Sequence, residues 1–183
     1  MSPELNSTLI KVLLPAAAII VALVVSKRRG YSWSKDLGFA LPSAKSVTLW
    51  LGFWMVWMAS SEALIDAFGL VQAQPWPDYP WPVLLIRVLA IGILGPVAEE
   101  VIARGTAFNV LRRKRIGPYG AILLIAIVWA LLHLRYDPGT IALIAMDGVI
   151  FGLARHQSGS LWVPIAMHVS GNIFSIGQSL GLW

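Results

Sequence analysis

The chain has 183 residues, of which 57% are hydrophobic and only 13% are Asp, Glu, Lys or Arg, about half the roughly 25% charge of soluble domains. With a mean hydropathy of +0.73, that balance excludes a soluble globular domain and a disordered chain, and continuous rather than alternating apolar runs exclude a porin-like barrel. The net charge of +5 is clumped behind apolar runs, in Lys27-Arg28-Arg29 and Arg112-Arg113-Lys114-Arg115, a pattern of juxtamembrane loops and not of a nucleic-acid surface.

The first apolar run covers residues 9–25 and ends at the Lys27 cluster. Its positive charge lies mostly on the C-terminal side, the reverse of a secretory signal, so it reads as a membrane helix. A second run, 47–70, is rich in Trp and carries Glu62 and Asp66, for which loop-end solvation or a pair with Arg87 is expected. Residues 75–82 hold four prolines between aromatic residues, which predicts an interfacial loop. The third run, 83–111, would reach roughly 43 Å as a helix, longer than the hydrocarbon core, and Gly95-Pro96 is its natural bend. Helices over 119–134, 140–154 and 160–180 follow, with turns expected at Gly117-Pro118, Asp137-Pro138-Gly139 and Gln157-Ser158-Gly159. Gly148 and Gly152 form a small-xxx-small pair suited to close helix packing, and Asp147 beside them calls for a polar partner inside the bundle. The fold class is therefore all-α: a polytopic integral membrane helix bundle of about six transmembrane helices, forming one membrane domain.

Placing the two large basic clusters in the cytoplasm puts ten Lys or Arg inside and only Lys11 and Arg135 outside. That bias gives six spans with both termini outside. No cysteine is present, so disulfides, thiolate metal sites and a cysteine nucleophile drop out.

Ionisable groups within a span mark function or a mutual pair. Glu99 and Glu100 are adjacent and point about 100° apart on a helix. Arg104 follows Glu100 by four residues, on the same face, which predicts a structural ion pair. Glu99 is left without a local partner and becomes the candidate general base. His133 sits near the far end of the fourth helix, where a lone histidine is more often packed than catalytic. His168 and Asn172 share a face of the sixth helix and supply donors suited to a carbonyl or an oxyanion. By helical rise, Glu99 lies roughly 20 Å from the Arg112 cluster, with His133 about 22 Å and His168 about 12 Å from the cytoplasmic ends of their helices. This predicts a shared site that opens towards the cytoplasm.

Three segments, Glu99-Glu-Val-Ile-Ala-Arg104, Trp129-Ala-Leu-Leu-His133 and His168-Val-Ser-Gly-Asn172, resemble in order the motifs of the CPBP family. That family comprises CAAX prenyl endoproteases and bacteriocin-processing or immunity (Abi) proteins. The resemblance covers about residues 82–174 and divides the chain into N-terminal helices with the interfacial loop, 1–81, and a catalytic helix core, 82–183. It implies an intramembrane endopeptidase in which Glu99 activates water, assisted by His133. His168 and Asn172 would stabilise the oxyanion, while Glu100 and Arg104 would support the site. Two positions depart from the pattern: Ala103 replaces a frequent aromatic residue, and Trp129 stands where Phe is usual.

The expected substrate is a membrane-associated or lipidated peptide or protein, in a bacterial or archaeal cytoplasmic membrane. No cofactor is expected; a zinc held by the carboxylate and two histidines is the alternative, and no HExxH segment supports it. A non-catalytic immunity or scaffold protein is the competing function. A proton-relay transporter would be expected to show internal repeats, and none is visible.

Overall fold

The computed structural model describes residues 2–70 and 75–182, and all regular structure among them is helical. Six helical segments follow one another: α1 (Pro3–Arg28), α2 (Ala44–Phe68), α3 (Trp81–Leu111), α4 (Gly117–Leu131), α5 (Pro138–Ser158) and α6 (Trp162–Ser179). The protein is an all-α integral membrane helix bundle. α1, α3 and α5 are each long and apolar enough to cross a bilayer, and α4 is a shorter apolar helix. The outward side chains of α1 and α4, such as Leu13, Leu14, Ile127 and Val128, are apolar and exposed, as a surface bathed in lipid requires.

Local chemistry sets the helix ends. Ser2, Ser43 and Asp137 accept the first free backbone N–H groups of α1, α2 and α5, as good N-caps do. Gly117-Pro118 and Pro138-Gly139, expected as turns, are instead the first residues of α4 and α5. Proline just inside a helix start loses no hydrogen bond there. α4 also stops three residues early, at Leu131, so His133 lies on the turn that follows and not on the helix. Gly159, with φ of +69°, ends α5, so that Gln157 and Ser158 of the expected Gln157-Ser158-Gly159 turn are still helical.

α3 is one run of 31 residues broken twice by π-helical stretches, Ala90–Leu94 and Val101–Ala107. The chain thus passes through Gly95-Pro96 as helix. The Gly95 N–H reaches back five residues to the Ala90 carbonyl, and Pro96 has no N–H to lose. Glu99 and Glu100 fall on the short α-helical piece between the two stretches.

The core is aromatic and tightly drawn. Trp50 and Trp54 of α2, Phe151 of α5 and Met167 of α6 pack together at its centre. α5 lies against α4 along its glycines: a Cβ on Gly148 would sit 2.9 Å from Ala126 Cα, and one on Gly152 would sit 2.8 Å from Ile122 Cγ2.

Two sets of ties define the ends of the bundle. At one end the basic clusters gather around residues 29–43: Asp36 pairs with Arg113, its carbonyl accepts from Arg155, and the Gly38 carbonyl accepts the Leu161 N–H at 2.6 Å. At the other end the Trp76 N–H donates to the Ser179 carbonyl at 2.9 Å. There Arg87 donates to Ser7 and Thr8 of α1, and the pair with Glu62 or Asp66, one of the two alternatives, is not among the ion pairs of the described residues. Glu62 accepts instead from Gln178 at 2.7 Å, because α6 ends beside α2 on that side.

Candidate active site

The two adjacent glutamates face different surroundings. Glu100 is completely buried, and its Oε1 accepts both Arg104 Nη1 at 2.8 Å and His168 Nδ1 at 2.9 Å. Arg104 continues through Nη2 to the Gly148 carbonyl at 2.9 Å and lies over the rings of Trp129 and Phe151. The expected Glu100–Arg104 pair is therefore present and joins α3, α5 and α6 in one buried network.

The Glu99 side chain is 42% exposed and lines a cavity of about 560 Å³, a volume usual for ligand sites. Its Oε2 accepts the indole N–H of Trp129 at 2.7 Å and lies 4.0 Å from His168 Nε2. Because Glu100 holds Nδ1, Nε2 is the His168 nitrogen left for the cavity. Phe151 stacks on one side of that ring, and Trp129 meets it edge-on.

Glu99, His168, His133 and Asn172 all line this cavity, but they are not equally close. Glu99 and His168 approach each other. The His133 ring binds the Trp129 carbonyl through Nδ1 at 2.9 Å. Asn172 donates its amide to the Ile91 carbonyl at 2.8 Å. The first π-helical stretch lies within the segment holding that carbonyl, and α-helical turns offer few such acceptors.

Two contributors were not legible as site groups. Trp129 enters the sequence reading only as a departure from a Phe, yet among the described residues it is the hydrogen-bond donor to Glu99; the exchange of Phe for a residue with an N–H was the available signal. Asp147 enters the cavity wall, and its polar partner is the Trp57 indole at 2.6 Å.

Among the described residues, no three His, Asp or Glu side chains converge as a metal site. Glu99 and His168 come together, while the His133 ring binds the Trp129 carbonyl through Nδ1.

The cavity has a direction. Its deep wall holds Glu99, Trp129, Asp147 and His168, and its outer wall holds Lys11, Trp76, Tyr79, Arg87, Tyr136 and Gln178. Those outer residues all belong to the end of the bundle away from the basic clusters. At the basic end Leu37 and Leu161 are fully buried, and Leu161 packs with Val101, Ile165 and Phe39.

Residues 80–174, which carry Glu99, Glu100, Arg104, His133, His168 and Asn172, match the family described as Rce1-like, type II CAAX prenyl endopeptidase. A protein of Escherichia coli described as an uncharacterized 24.3 kDa protein is 28% identical over 134 residues, covering 66% of this chain and 62% of its own length. No solved structure matches.

Proposed function

The chain belongs to the Rce1-like family of type II CAAX prenyl endopeptidases, and we propose that it is an intramembrane endopeptidase cutting a membrane-associated peptide or protein through a glutamate-activated water. The observation that carries this reading is the contrast between the two glutamates. Glu100 is sealed in an ion pair, while Glu99 faces the cavity with His168 Nε2 4.0 Å away.

In this mechanism the carboxylate of Glu99 takes a proton from water as the water oxygen attacks the scissile carbonyl. The carbonyl π electrons move to oxygen, and the resulting oxyanion is met by His168 Nε2, which offers an N–H when the ring is doubly protonated. Asn172 serves the oxyanion if its amide leaves the Ile91 carbonyl. On collapse the C–N bond breaks, and the proton held by Glu99 passes to the amine leaving group. His133, which lines the same cavity, assists there through Nε2. Glu100 and Arg104 do not touch the reacting atoms: they fix the His168 ring and tie the three helices. The scheme uses no metal.

Basic loops favour the cytoplasmic side, so the cavity admits its substrate from the opposite face of the membrane. Cleavage by wild-type protein and by Glu99→Gln tests the chemistry; retained cleavage by the variant would overturn it.

A further inference from the structure

We propose that Asp147 sets the specificity of the cavity by taking the cationic side chain of a lysine or arginine in the substrate, near the scissile bond. This rests on the endopeptidase reading above and adds to it a class of substrate.

Asp147 is a carboxylate that the mechanism does not use and that no cation claims. It is half-buried on α5 and lines the cavity, and its Oδ1 accepts the indole N–H of Trp57 at 2.6 Å. That donor is neutral. Among the described residues no other hydrogen bond and no ion pair includes Asp147. His168 and Arg104 are near enough for their charges to act on it, but both are committed elsewhere. Arg104 Nη1 and His168 Nδ1 go to Glu100 Oε1, and His168 Nε2 turns to Glu99. With Glu99 and Glu100 ionised as well, Arg104 and even a doubly protonated His168 leave the floor net negative. An excess charge inside a membrane bundle is costly unless a counter-ion joins it. Lys11 and Arg87 line the outer wall and neither pairs with Asp147, so the missing cation comes with the substrate.

The place of Asp147 on α5 says where that cation belongs. Phe151, one turn further along the helix, stacks on His168 with ring centres 5.2 Å apart. Asp147 therefore stands roughly 6 Å of helical rise from the level of the reacting groups, on the mouth side. One turn further out, Ile144 lines the same cavity, and α2 adds Trp54 and Met58. A charge set in such a wall suits lysine or arginine: the long stem packs on apolar surface while the head meets the carboxylate. Aromatic ring faces add to the attraction. An uncharged side chain gains nothing from Asp147, and an acidic one is repelled by it.

The test is equilibrium binding of fluorescently labelled apolar heptapeptides with a central lysine, acetyl-lysine or glutamate. They are offered to the full chain carrying Glu99→Gln in phosphatidylcholine vesicles. Acetylation removes the charge and keeps the stem. The lysine peptide should bind at least about ten-fold tighter than the acetyl-lysine peptide. Adding Asp147→Asn, which keeps an acceptor for Trp57, should bring that ratio close to one without weakening the acetyl-lysine peptide. Asp147→Lys should turn the preference towards glutamate. Equal binding of the lysine and acetyl-lysine peptides, no binding of any peptide, or a ratio that survives Asp147→Asn in monodisperse protein overturns the proposal. So does a loss of both peptides alike in Asp147→Asn, which identifies a purely structural tie to Trp57. Binding is read without turnover, so a wild-type protein that cuts none of the peptides would count against the endopeptidase reading alone.

Discussion

The indole N–H of Trp129 donates to the Oε2 of Glu99 across 2.7 Å, from α4 to α3. It holds the carboxylate in the cavity while leaving the other oxygen for water. Trp129→Phe removes the donor and keeps most of the ring packing against His168 and Phe151. Hydrogen bonds to charged groups are worth about 1.5–3 kcal/mol, so kcat should fall roughly ten-fold or more, with little change in KM. An unchanged kcat would show that Glu99 needs no such positioning.

The adjacent glutamates should fail in different ways. Glu99→Gln is expected to abolish cleavage at normal abundance and normal thermal stability in detergent. Glu100→Gln leaves Arg104 buried without its counter-ion, a loss of about 3–5 kcal/mol for such pairs, so it should lower both stability and activity. Equal loss of stability in the two variants would remove the distinction on which the mechanism rests.

Removal of metal is expected to leave cleavage intact. Activity after exhaustive chelation, with the metal content of the preparation measured alongside, decides the point. Loss of activity that zinc alone restores would establish the metal-dependent alternative.

The α4–α5 contact should be intolerant of volume. At Gly148, substitution by Leu places side-chain atoms where Ala126 already sits, and overpacking of this kind costs about 1–3 kcal/mol. It also displaces the carbonyl that receives Arg104. The melting temperature and cleavage should fall together. Substitution at the exposed Gly52, whose Cβ would meet nothing within 4 Å, serves as the control.

Sidedness is open to direct labelling because the chain has no cysteine. In intact cells, Tyr79→Cys at the cavity mouth should react with a membrane-impermeant maleimide, whereas Lys114→Cys should react only after permeabilisation. The opposite pattern would place the mouth in the cytoplasm.

The helices and the Glu100–Arg104 pair were legible in the sequence because both rest on local spacing: apolar periodicity and an i, i+4 offset. What escaped depends on relationships between segments. His133 moved from a helix to a turn because α4 ended three residues early, beyond the reach of any cap signal. Arg87 found its partners on α1, almost eighty residues away in sequence, where hydroxyls resemble any other polar residues. The direction of the cavity followed from residues 29–43 folding over one end, and nothing in their composition announces that.

The two π-helical stretches of α3 bracket Glu99 and Glu100. A π stretch amounts to an α-helix that has absorbed an extra residue. Deleting one residue between Ala90 and Leu94 would restore an ordinary turn and leave the faces of Arg87 and Glu99 nearly in register, whereas the same deletion in an unbroken α-helix would turn them about 100° apart. The deletion would instead remove the displaced backbone around Ile91, whose carbonyl receives Asn172. A one-residue gap here between relatives therefore records the loss of that acceptor and not of a shared cavity wall.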